Sequence, residues 1–315
     1  FFFAAAWSVR PESNQMRARS TSAPRLVAAL ALAVAVGGAG CAALGVVEDG
    51  RSVSWGKANH GGIRAPARLP DAGEGYRVPV RWRERGLRWG TDELVDMIIH
   101  VSRRLALEAP GGAVTVADLS PRRGGPSQWH RSHQSGRDVD LVFFVTDEAG
   151  RRVDPEDMRH FGADGYTSDD KEARALDPEA KRLVFDVPRN WQLVRALVEY
   201  QGTPVQRIFL FRPLIDLLLE HARAIGEPEA VVARAELILT QPGDSAPHDD
   251  HMHVRVLCSE IDRAFGCRDY GQVLPDMIGP RDPMMAWAAL PAEMQLAVMA
   301  PVPAMLALIG LPVLR

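Results

Sequence analysis

The run DVDLVFFV, residues 138–145, constrains the fold more than any other part of the chain. Its apolar content reads as a buried, central strand. Yet it carries Asp138 and Asp140, which share one face of such a strand while Val139 and Leu141 share the other. A carboxylate in that setting is costly unless it is paired or bound to a metal. Whatever packs against this strand has to supply a cation on its acidic face.

The histidines point to where that cation comes from. Five of the nine lie in two short windows, QWHRSHQSGRDVDL with His130 and His133, and PHDDHMHVRV with His248, His251 and His253. Imidazole is the commonest protein ligand for a transition metal and the usual acid or base near neutral pH. His133 falls in the loop entering the acidic strand, and Gly136 in the intervening turn can take backbone angles other residues avoid. His251 and His253 alternate with Met252 and so face one side of a strand. A His, an Asp and another His give zinc three protein ligands and leave the fourth position to water. Such an open site brings the pKa of its water near neutrality and polarises a carbonyl. His60, His100, His160 and His221 lie outside any spaced cluster and read as structural, and Asp138 and Asp249 as solvated or supporting groups. Ser132 and Ser135 sit in no nucleophile elbow, which leaves a serine mechanism without support.

With 46% apolar and 24% charged residues over 315 positions, the chain can bury a substantial core. A formal charge of -3 and a pI near 6.3 offer no basic field, so no nucleic-acid partner is expected. An amphipathic helix starts at Thr91 and ends before Pro110, and AVTVADLS reads as a strand. NWQLVRALVEYQG reads as a helix closed by Gly202, VQRIFLF as a strand, PLIDLLLEHARAIG and AVVARAELIL as helices, and HMHVRVLC as the last strand. Residues 51–90 read as an extended wrap with short strands, and DDKEARALDPEAKR as a charged, exposed insertion. Without regular βαβ alternation, these elements imply an α+β fold. Its central sheet is largely antiparallel, flanked by helices and long loops, with the zinc site on the sheet.

The two ends carry separate expectations. FFFAAAWSVRPESNQ precedes Met16 and reads as an over-extended frame. From there a basic segment, the apolar LVAALALAVAVGGAG and Cys41 follow one another as in a secretory signal. The cysteine resembles the lipidated first residue of a bacterial lipoprotein, although Gly38 stands where such signals usually carry Leu. Cleavage by an ordinary signal peptidase is the alternative. A lipidated Cys41 followed by Ala42 implies a periplasmic protein anchored to the outer membrane. In that oxidising compartment Cys258 and Cys267 read as a disulfide rather than as metal ligands. Residues 296–314 are uncharged and of bilayer length, but Pro301, Pro303 and Pro312 oppose a regular helix. That tail reads as packed on the domain or lying at the membrane surface, with a second anchor as the alternative. The expected organisation is a leader over 1–41, a catalytic domain over 51–280 and a tail over 281–315.

HRSHQSGRDVDL followed by HDDHMHVRV resembles the penicillin-insensitive murein endopeptidases, within the zinc peptidases that include lysostaphin-type enzymes and D-Ala-D-Ala carboxypeptidases. The pattern His-x6-Asp and His-x-His is met by His133, Asp140, His251 and His253, and the additional histidines of the murein enzymes by His130 and His248. GGIRAPARLPDAGEGYRV and VQRIFL are similar too, so the resemblance covers roughly residues 52–260. It implies that His133, Asp140 and His253 hold one zinc ion. His251 would act as base or transition-state hydrogen-bonding group, with His248 in support and Asp250 as the rival base. His130 would line the site and, in some relatives, touches a second metal whose other ligands are not matched here. The implied activity is hydrolysis of D-amino-acid peptide cross-links in peptidoglycan. The alternatives are a carboxypeptidase acting on uncross-linked stems, or a non-catalytic wall-binding lipoprotein of the same fold. The implied partners are peptidoglycan and, through the lipid anchor, a membrane.

Overall fold

The computed structural model describes residues 52–109, 111–168, 182–243 and 245–271. Cys41, the signal-like segment, most of the charged insertion and the apolar tail lie outside the described residues.

Seven strands among the described residues form the central sheet. They are β1 (Ala72–Gly73), β2 (Tyr76–Arg77), β3 (Val114–Val116), β4 (Asp138–Val142), β5 (Val205–Phe209), β6 (Leu239–Thr240) and β7 (His251–Val256). Their spatial order is β6-β5-β7-β4-β3-β2-β1. Pairing is antiparallel between β5 and β7, β7 and β4, β4 and β3, and β1 and β2; only β5–β6 and β2–β3 are parallel. The sheet is therefore largely antiparallel and the architecture mixed α and β, as the element pattern implies. β4 lies in the middle and is buried at every position. A shorter antiparallel pair, Val53–Lys57 with His60–Arg64, occupies the stretch that reads as an extended wrap.

Six helices among the described residues accompany the sheet: α1 (Val80–Glu84), α2 (Asp92–Glu108), α3 (Val187–Val198), α4 (Arg212–Ala224), α5 (Glu229–Ile238) and α6 (Glu260–Ala264). The Thr91 hydroxyl caps α2 by accepting the Leu94 N–H, and Asp92 and Glu93 occupy its first turn, where acidic groups suit the helix dipole. Leu94, Val95, Met97, Ile98, Val101 and Leu105 form its buried stripe. Met97, Ile98 and Val101 meet Leu193 and Leu197 of α3, with Val114 and Leu141 of the sheet, around one small cavity. One face of β4 is thus covered by helices, which leaves Asp138 and Asp140 to the other. α3 ends at Val198, before the expected stop at Gly202. A Cβ on Gly202 would strike the Tyr200 ring, so that glycine accommodates an aromatic neighbour instead of closing the helix. The short helices α1 and α6 fall where the sequence shows no periodic run.

Cys258 and Cys267 are joined by a disulfide that encloses α6, and Cys267 bridges to Gly56 of the first hairpin. Nearby, the buried Arg137 donates to the Val256 carbonyl at 3.0 Å and to Asp269 at 2.9 Å, tying the start of β4 to the end of β7. No helix among the described residues is long and apolar enough to cross a membrane.

After Val142 the chain leaves the ladder, and Asn190 of α3 completes its hydrogen bonding. The Asn190 carbonyl oxygen accepts the Phe144 N–H at 3.1 Å, and its amide donates to the Phe144 carbonyl at 2.7 Å. Asn190 is fully buried, so replacing it by Ala strands the Phe144 N–H without solvent, while the Phe144 carbonyl keeps the Asp186 N–H at 3.0 Å. A buried donor left without a partner costs about 1–3 kcal/mol. Asn190→Ala should therefore lower unfolding stability by about 1–3 kcal/mol in urea titrations, with the denaturant slope unchanged.

Candidate metal centre

Strand register assembles the centre. β7 runs antiparallel to β4 with His253 opposite Asp140, His251 opposite Val142 and Arg255 opposite Asp138. Alternation along both strands puts His251, His253, Asp138 and Asp140 on the face away from the helices, while Met252, Val254, Val139 and Leu141 enter the core. His133 arrives from the loop before β4. Its backbone takes a left-handed φ of 61°, and the turn that follows uses Gly136 at φ 76°. A side chain on Gly136 would also collide with Ile63.

Asp140 is fully buried, and neither of its carboxylate oxygens accepts a hydrogen bond. Three imidazole nitrogens face its Oδ1: His133 Nε2 at 3.2 Å, His251 Nε2 at 3.3 Å and His253 Nδ1 at 3.6 Å. His130 Nδ1 lies 3.7 Å from Oδ2. The far nitrogen of each ring is already engaged. His133 Nδ1 donates to the Leu119 carbonyl at 2.8 Å, His251 Nδ1 pairs with Asp250 at 2.7 Å, and His253 Nε2 pairs with Asp138 at 2.8 Å. A proton on each of these far nitrogens leaves the near nitrogen as a lone pair. In those neutral tautomers lone pairs converge on a carboxylate with no donor among them, an arrangement that a cation satisfies. The residues fit a metal ion, and Asp138 holds His253 as a carboxylate commonly holds a metal-bound histidine.

Without a cation the rings differ in charge: burial opposes protonation of His133, but Asp140 outweighs it and raises the ring. Burial pushes His253 down, reinforced by His133 and against the pull of Asp138, to a pKa of about 3, which keeps the ring neutral. Burial opposes ionisation of Asp138, but Arg255, with its Nε at 2.6 Å, and His253 outweigh it and hold the carboxyl below its usual range. Burial likewise opposes charge on His251, but Asp140 and Asp250 outweigh it and raise the ring to about 10. A cation on Asp140 would cancel that attraction and return the ring to a neutral acceptor.

The sequence-predicted residues meet at one place. His130, His133 and Asp140 form one group able to hold a metal, and His248, His251 and His253 a second beside it. The His248 ring lies 5.0 Å from that of His251. Its backbone is left-handed at φ 58°, and its Nδ1 donates to the Ala246 carbonyl. Asp138 is buried rather than solvated. Three further residues at the site are not among those that the sequence names for it. Phe209 sets its ring edge-on to His253 at 5.2 Å, Asp118 bonds His130 Nε2 at 2.8 Å, and His160 joins Asp249 at 2.9 Å. The only trace of Asp118 in the sequence is an acid closing the strand-like AVTVAD. His160 offers none, because its partner lies 89 residues away.

A family model described as penicillin-insensitive murein endopeptidase matches residues 54–293, and the chain belongs to that family. It is accordingly a peptidase of the class that acts on peptidoglycan. No curated protein matches the sequence.

If Asp138 sets the orientation of His253, Asp138→Ala should weaken metal affinity by about 10–100-fold, the usual effect of removing a carboxylate behind a ligating histidine. Competitive chelator titration measures it. An unchanged affinity would mean that His253 needs no such support.

Proposed function

We propose that this member of the penicillin-insensitive murein endopeptidase family is a zinc endopeptidase that hydrolyses D-amino-acid cross-links in peptidoglycan. The observation that carries the reading is the buried Asp140, whose oxygens accept no hydrogen bond and are faced by imidazole nitrogens. His133 Nε2, Asp140 and His253 Nδ1 would hold the ion, two imidazoles and a carboxylate being a donor set that suits zinc and leaves an open position. When bound, the metal supplies Lewis acidity, activating water near neutral pH and polarising a carbonyl.

The remaining groups handle protons. Asp250 accepts the His251 Nδ1 proton, so the Nε2 lone pair is presented to the centre and can take a proton from an attacking water. The same nitrogen can pass that proton to the departing amine. His248 stands beside it with Nε2 uncommitted, placed to support charge that develops on the substrate. Penicillin insensitivity follows from the same assignment, since no serine is acylated.

His133→Ala, Asp140→Ala and His253→Ala should each lose stoichiometric zinc by elemental analysis and lose digestion of purified wall sacculi, as chelator should cause in the parent protein. His251→Ala should keep zinc and lose about a hundredfold or more in turnover. Loss of metal in His251→Ala would make His251 a ligand. Zinc retention with lost activity in Asp250→Ala would make the carboxylate the base. Products from cross-linked rather than monomeric muropeptides distinguish an endopeptidase from a carboxypeptidase.

We further propose that the chain is exported and tethered by lipid on Cys41, which would keep the domain beside its insoluble substrate. One acyl chain binds a membrane only marginally, so a stable anchor requires several. Cys41→Ser should move the protein from the outer-membrane fraction to the soluble periplasm. Retention in the membrane would shift the anchor to the 296–314 tail.

A further inference from the structure

Two arrangements of the same kind flank Asp140. On one side Arg255 Nε donates to Asp138 Oδ1 at 2.6 Å, and the same oxygen pairs with His253 Nε2 at 2.8 Å. His253 then turns Nδ1 to Asp140 Oδ1 at 3.6 Å. On the other side Arg85 Nη1 donates to Asp118 Oδ2 at 2.8 Å, and that oxygen pairs with His130 Nε2 at 2.8 Å. His130 then turns Nδ1 to Asp140 Oδ2 at 3.7 Å. The backbone fixes Asp118 with equal care, since its carbonyl accepts the Asp140 N–H at 3.0 Å.

Asp118 is fully buried, and its Oδ1 has no hydrogen-bond partner. A half-satisfied buried carboxylate is unfavourable for folding, so its presence calls for a use. The Arg85 guanidinium is itself sandwiched between two indoles, 4.2 Å from the Trp82 ring and 4.1 Å from that of Trp129. Trp82 is buried and Trp129 half exposed, and Trp129 immediately precedes His130. The clamp thus fastens the backbone next to His130 and the carboxylate behind it to one cation.

We propose that Asp118, held by Arg85, is a positioning residue for the reaction: by accepting the His130 Nε2 proton it fixes the tautomer whose Nδ1 lone pair faces the centre at Asp140. The inference rests on the proposed peptidase reading for its consequence in turnover, but the tautomer stands apart from it. Without the carboxylate the imidazole can rotate or place its proton on either nitrogen, and the centre loses an oriented acceptor. Removing the outer partner of such a histidine typically costs about 10–100-fold in activity.

The test uses the full chain labelled with ¹⁵N-histidine, with and without zinc, the His130 signals being identified by their loss in His130→Ala. In the parent protein His130 should show Nε2 protonated and Nδ1 unprotonated. Asp118→Ala should lose that pattern and lower kcat on cross-linked muropeptides by about 10–100-fold with KM within about twofold. Asp118→Asn, which keeps an acceptor oxygen, should recover part of both. If Asp118→Ala does not fold, as judged by its melting transition, Arg85→Gln at the outer end of the relay takes its place with the same expected direction. A parent protein with Nδ1 protonated at His130, or a variant in which either the tautomer pattern or kcat is unchanged, overturns the proposal. A parent protein that does not digest sacculi would sink the peptidase reading, and the ¹⁵N pattern would still decide this one.

Discussion

The centre depends on a carboxylate that the chain itself leaves without a donor. Asp140 sits in the middle strand of the sheet, sealed from solvent, with both oxygens free of hydrogen bonds. Three imidazole nitrogens are brought to that point, from His133, His251 and His253. The dependence on β-pairing is strict, because a one-residue slip of β7 against β4 would send His251 and His253 into the helical core and Met252 and Val254 into the site. Arg137 at one end of the β4–β7 pair and Asn190 at the other fix where the ladder starts and stops.

Charge is handled in layers. Asp138 and Asp118 each face an arginine on the side away from Asp140, and each touches a histidine on the side toward it. The arginine balances the carboxylate, so the histidine receives orientation without having to carry the compensating charge itself. His253, held by burial to a pKa of about 3, stays neutral beside its carboxylate. No arginine among the described residues pairs with Asp140; His133 and His251 face it instead, at the point where a cation would sit.

Much of this is legible in the amino-acid sequence alone. Residues 138–142 and 251–256 are strands because apolar residues alternate with the site residues in both, and period-two alternation fixes which side chains share a face. The His and Asp spacings therefore name the cluster that the fold assembles. Asp118 is hidden because its partners, Arg85 and His130, are 33 and 12 residues away, so no local pattern joins them. Phe209 reads as an ordinary strand residue until its ring is found against His253. His160 reads as structural, yet it lies against Asp249 at the edge of the centre. Helices α1 and α6 are five residues each, too short for a helical period to declare itself.

The deepest failure of local rules lies in the backbone. His133 and His248 adopt left-handed conformations at φ 61° and 58°, where residues other than glycine are uncommon. No composition or periodicity argument would assign that geometry to a histidine. Each costs of order 1–3 kcal/mol and persists only where surrounding contacts hold it. Those contacts are present: the Leu119 carbonyl anchors the His133 ring, and the Ala246 carbonyl and the Phe211 N–H hold His248. A relaxed backbone would swing either imidazole away from its neighbours, so the strain is what keeps a ring aimed at the centre. The same positions carry the clustered histidines of the sequence, which places backbone strain, unpaired charge and chemistry at one point of the fold.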